Sequence, residues 1–138
     1  SRFCRPCNYE VLLNFPDLRF ALAHASWPWT DECIALLGRF KANLEDDEWR
    51  DKRAKKMQMY IDVTPGTPTH FYRRHMYRNA LSLDAEDQMI FGSDSYASDF
   101  AHAREVAEMD RSMIRELGYP DEVIQKIQAR NIERFLKG

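Results

Sequence analysis

Two side chains of this 138-residue chain stand where α/β enzymes keep their reacting groups. The run QMIFGSD at 88–94 carries a short apolar segment straight into Gly92, Ser93 and the carboxylate of Asp94. A strand buried on both faces reads as such an apolar run, and in parallel α/β folds the chemistry sits where the strands end. The segment LRFALAH at 18–24 repeats the design with the imidazole of His24, followed by the small residues Ala25 and Ser26. A carboxylate can bind a divalent ion or take a proton from its water, and imidazole is an acid and a base near neutral pH. Two strand ends of one sheet aim at one mouth. Taken alone, Asp94 reads more readily as a turn carboxylate satisfying backbone amides beside Gly92; for His24 the alternative to an acid–base role is a core histidine hydrogen-bonded under the rim.

The elements that must position these groups follow from periodicity. Strands are expected at 18–23, 57–63 and 88–91, and helical spacing fills the intervals between them. Tyr9, Val11, Leu12, Leu13 and Phe15 form the end of a helix that stops at Pro16. Thr30 or Asp31 caps a helix through Ile34, Leu36, Leu37 and Phe40, and 43–56 is too polar for core. Residues 64–68, TPGTP, mark a sharp exit loop at the mouth, with Asp62 just before it pointing to the mouth or to a neighbouring strand. Phe71, Tyr72, Met76, Tyr77 and Ala80 form one helix. Ser98 or Asp99 caps a longer one carrying Phe100, Ala103, Val106, Met109, Met113, Ile114 and Leu117, ended by Gly118 and Pro120. Residues 123–136 form closing helices. Alternating strand and helix implies a parallel sheet in one continuous unit, 1–138, with no linker or repeat.

Composition narrows the function class. With 44% hydrophobic and 30% charged residues the chain is an ordinary globular domain, and its net charge of −2, with both signs interspersed, offers no field for nucleic acid. No apolar stretch approaches the roughly 18 residues of a membrane span, so the chain reads as cytoplasmic. Cys4, Cys7 and Cys33 form no even disulfide framework, and Cys4/Cys7 lack the second ligand pair a zinc site needs.

The motifs FPDLRFALAHAS, MYIDVTPG, MIFGSD and YPDEVIQKIQARNIERFL, in that order, resemble the C-terminal part of the amidohydrolase-2 group of metal-dependent hydrolases and decarboxylases. The resemblance covers nearly the whole chain. It implies a partial (β/α)8 TIM barrel, α/β in class, whose three parallel strands are the sixth to eighth of the parent fold, with flanking and C-terminal helices. It also implies a divalent metal, zinc before others, with Asp94 as metal ligand or proton-transfer group and His24 contacting the metal-bound water or the substrate. The remaining ligands have no counterpart, since His24, His70, His75 and His102 are the only histidines and no His-x-His occurs. A full barrel needs about 250 residues, so the chain reads as a C-terminal portion, inactive alone.

Around those two groups, Trp27 and Trp29 either wall an apolar pocket for a small-molecule substrate or pack the loop after His24. Ser95 and Tyr96, with Ser93, are placed to hydrogen-bond substrate, although Ser95-Tyr96-Ala97 departs from the aromatic-then-Pro pattern of the family and leaves the substrate open. His70 is expected on the first turn of a helix, and His75 and His102 in solvent. A second reading is a non-catalytic half-barrel that self-associates, or binds its missing half, through two unpaired strand edges. A doubly wound binding domain is disfavoured by the absence of a Gly-rich phosphate loop.

Overall fold

A computed structural model describes residues 2–15, 17–45, 58–66 and 70–137. Three parallel strands, β1 (Phe20–Leu22), β2 (Met59–Asp62) and β3 (Met89–Ile90), lie side by side in sequence order. Phe20 pairs with Met59, Leu22 with Ile61, Ile61 with Met89 and Asp62 with Ile90. Between the strands run α1 (Thr30–Glu45) and α2 (His70–Leu81). After β3 come α3 (Phe100–Glu116), α4 (Asp121–Gln125), a π-helical turn (Lys126–Arg130) and α5 (Asn131–Lys137). The expected order of strands and helices is therefore present and the class is α/β.

Side chains alternate across a pleated strand, so Phe20, Leu22, Met59, Ile61 and Met89 share one face. That face meets Leu37 and Phe40 of α1 and Met76, Tyr77, Ala80 and Leu81 of α2 in the core. Tyr60 and Ile90, on the opposite face, are also buried, and the Phe135 ring of α5 stands edge-on against Tyr60 at 5.1 Å. Burial on both faces is why these strands are nearly unbroken apolar runs.

Local chemistry explains the helix ends. Asp99 caps α3 by accepting the His102 amide at 3.0 Å, and Gly118 takes a left-handed φ of 89° just beyond its end. The N-terminal segment Pro6–Asn14 is a 3-10 helix rather than an α-helix. Phe100 departs from its expected place on the buried stripe of α3: it opens the helix beyond the sheet and is 77% exposed. Asp110, on that stripe between Val106 and Met113, is instead fully buried.

One edge of the sheet is closed, where the sequence suggested two open ones. Asn131 Nδ2 donates to Met89 O and Glu86 O, each at 2.7 Å, and the Phe91 amide donates to Ile127 O at 3.0 Å. The π turn makes this possible. Asn131 N–H bonds Lys126 O, five residues back, which leaves the Ile127 carbonyl for Phe91.

Candidate active site

His24 and Asp94 leave the two outer strands at the same end of the sheet, flanking the exit of β2. Both are exposed and both hold a left-handed backbone, φ 52° at His24 and 56° at Asp94. Ala25 and Ser26 continue the left-handed stretch with φ 47° and 58°. Such conformations cost non-glycine residues of order 1–3 kcal/mol each and gather where a loop is shaped for function. Ala25 is buried in the core, and Ser26 lies beside the buried Cys33 thiol of α1, so packing holds the strained loop down. Burial pushes that thiol up to about 11.

The Asp94 carboxylate has no hydrogen-bond partner among the described residues, and helix capping falls to Asp99 instead. The turn-carboxylate alternative thus finds no bond to support it. Ser95 is half-buried, with its Oγ fully enclosed and unpartnered, and Tyr96 is 86% exposed. Trp27, half-buried, packs on the exposed Tyr72 of α2 with ring centroids 4.7 Å apart and planes tilted by 60°, which makes an aromatic wall three residues past His24. Trp29 is half-buried, and its carbonyl accepts the Cys33 amide at the start of α1.

Between His24 and Asp94 stands Thr64, a residue the sequence offered only as part of a loop. Its carbonyl lies 3.3 Å from His24 Nδ1. Its amide and hydroxyl both donate to Asp62 Oδ1, at 2.8 and 2.5 Å. Two glycines press on this group. A Cβ at Gly66 would fall 2.6 Å from His24 Nδ1, and one at Gly92 would collide with the Thr64 hydroxyl. Gly66 is therefore needed for close approach and not for a left-handed turn, since Gly118 is the described glycine with positive φ.

Below this group lies a buried ionic cluster that supports the exit of β2. Arg73 Nη1 donates to Val63 O at 2.8 Å, and its Nε and Nη2 bind Asp110 at 2.5 and 2.6 Å. Tyr77 adds a hydroxyl donor to Asp110 at 2.6 Å. Burial disfavours the Arg73 cation, but the Asp110 carboxylate outweighs it and holds the guanidinium above its ordinary value. Burial, and then the Asp110 charge, push the Tyr77 phenol well above the ordinary range. A carboxylate on an apolar helical stripe was the signal that could have revealed this cluster.

The other candidates lie elsewhere. His75, expected in solvent, is half-buried and bonded through Nε2 to Asp31 at 2.7 Å, which ties α2 to the start of α1. His102 is exposed on α3. The side chain of His70 lies outside the described residues. Cys4 and Cys7 are exposed and free, and the Cys7 amide donates to Glu32 at 3.1 Å. Among the described residues no three His, Cys, Asp or Glu gather to hold a metal, and no helix is long and apolar enough to cross a membrane.

A family described as Amidohydrolase matches residues 2–138. No curated protein and no solved structure matches the chain.

Proposed function

Because the chain belongs to the amidohydrolase family, whose members are hydrolase-type and generally metal-dependent, we propose that it forms the His24–Asp94 side of a metal-dependent hydrolase or decarboxylase mouth. The observation that carries this reading is the shared left-handed backbone of the two groups at the ends of the outer strands, on either side of Thr64 at the exit of β2. The sheet would be the last three strands of a (β/α)8 barrel, extended by strands from elsewhere at the β1 edge; closing the ring would also require the β3 edge to give up its bonds to Ile127 and Asn131.

A metal needs more than the described residues offer, because no three His, Cys, Asp or Glu among them, Asp94 included, gather to hold one. The residues present do not fit a resident metal site by themselves. What they can do is handle protons. His24 bonds a carbonyl through Nδ1, which leaves Nε2 to take a proton from a nucleophile or return it to a leaving group. Asp94, exposed and unpartnered among the described residues, can accept a proton or serve as one ligand within a completed site. Trp27 and Tyr72 would wall a small substrate, while the Ser95 hydroxyl, fully enclosed, could reach it only if the loop after β3 shifted.

Intact mass and metal analysis of the material as isolated, followed by assay of ester and amide hydrolysis, test this reading. A second polypeptide with near-stoichiometric metal, and activity lost in both His24→Asn and Asp94→Asn, support it. Stoichiometric metal and turnover by the 138-residue chain alone would overturn the need for completion. Unchanged activity in both variants would overturn the assignment of the mouth.

A second reading, a non-catalytic half-barrel that self-associates, draws on the edge of β1 that faces away from β2. No described strand covers it.

A further inference from the structure

We propose that Asp62 and Thr64 form a positioning clip that holds His24 in its Nδ1–H tautomer and so presents Nε2 as the proton acceptor; the inference rests on the functional reading above. A carbonyl oxygen only accepts, so the 3.3 Å approach of His24 Nδ1 to Thr64 O requires the proton on Nδ1. In the neutral ring Nε2 then carries the free lone pair. Free imidazole side chains in water favour the opposite tautomer, with the proton on Nε2, so the carbonyl must be held in place to reverse that preference.

Three features hold it. Asp62 Oδ1 accepts from both the amide and the hydroxyl of Thr64, which fixes the residue at two points. The preceding carbonyl, Val63 O, is fixed by Arg73, itself anchored on the buried Asp110. Gly66 and Gly92 remove the two methyl groups that would push the ring and the hydroxyl away. The clip also reaches the other strand end, because Gly92, two residues before Asp94, rests against the Thr64 hydroxyl. One short segment thus sets the orientation of the base from β1 and the path of the chain leaving β3. Neither Asp62 nor Thr64 needs to touch substrate, so both are positioning residues.

The test is long-range proton–nitrogen NMR of the nitrogen-labelled full chain at pH 8, with the His24 ring assigned through His24→Asn. In the native chain His24 Nδ1 should resonate as a protonated nitrogen and Nε2 as an unprotonated one. Asp62→Ala should move both to averaged positions with Nε2–H dominant, and Thr64→Ser, which keeps the hydroxyl, should retain the native pattern. A native His24 with its proton on Nε2 overturns the proposal outright, and that spectrum decides the matter even if Asp62→Ala does not fold. A folded Asp62→Ala chain with an unchanged tautomer also overturns it. Because the readout needs no turnover, absence of hydrolase activity in the completed, metal-loaded assembly would sink the functional reading without touching the clip. A wrong tautomer in an active assembly would do the reverse.

Discussion

The His24 imidazole rests against Gly66 so closely that a methyl group there would lie 2.6 Å from Nδ1. The ring of a candidate base is therefore shaped by the absence of a side chain forty-two positions further on, 66 minus 24. Gly66→Ala should displace the ring from the Thr64 carbonyl and cost about 1–3 kcal/mol through overpacking. Urea unfolding together with the His24 ring shifts checks this; native shifts with native stability would refute the contact.

The buried cluster under the mouth should answer strongly to loss of one partner. Asp110→Ala leaves Arg73 charged and uncompensated in the core, where breaking such a pair costs about 3–5 kcal/mol. Replacing both partners by apolar residues, Arg73→Met with Asp110→Leu, should recover much of that loss. Denaturant midpoints of the single and double variants decide it, and a single variant as stable as the native chain would contradict the observed pairing.

Stability should fall in alkali through Cys33. Burial raises this thiol from its ordinary 9.0 to about 11, so the unfolded chain loses the proton first as pH rises. The native state then binds more protons than the unfolded one, and stability declines between pH 9 and about 11. At about 1.4 kcal/mol per unit the loss is on the order of 3 kcal/mol. The raised Tyr77 phenol acts in the same direction at higher pH. Cys33→Ala should flatten the slope just above pH 9; a slope equal to that of the native chain would exclude the thiol as its source.

Thiol reactivity should follow exposure and charge. Cys4 and Cys7 are exposed and Cys33 is buried, while the hydrogen bond to Glu32 raises the Cys7 thiol. Alkylation followed by mass spectrometry should modify Cys4 first, Cys7 next and Cys33 only on unfolding. Early labelling of Cys33 would show that the loop after β1 is not packed as described.

Asn131→Ala removes the donor that satisfies Met89 O and Glu86 O. Leaving buried carbonyls unpaired costs about 1–3 kcal/mol. The loss should appear as faster hydrogen exchange at the Phe91 amide, whose partner Ile127 lies in the adjoining turn. Exchange at the Val63 amide, bonded to Ile90 O on the inner side of β3, should change less.

The three strands, their order and most helices were legible because apolar runs and helical spacing follow directly from what each segment buries. His24 and Asp94 could be picked out because strand ends in such sheets point one way. Thr64 could not, since its role depends on Asp62 folding back two residues and on two glycines from other loops approaching it. The closed edge of β3 was hidden for a similar reason. Nothing in the run at 126–131 announces a π turn, which owes its shape to the strand it meets. Arg73 and Asp110 were hidden by a general expectation that charges lie outside, which holds until two of them find each other.

The π turn also bears on how copies of this chain could join. An exposed strand edge is a template, and open-ended growth of a sheet needs two of them, one to accept a newcomer and one to offer to the next. Here Ile127 and Asn131 already occupy the β3 side. Pairing at β1, whose outer edge no described strand covers, would join two chains about a two-fold axis and consume that edge, so in any such assembly the turn would act as a chain terminator, favouring a finite pair over a fibre.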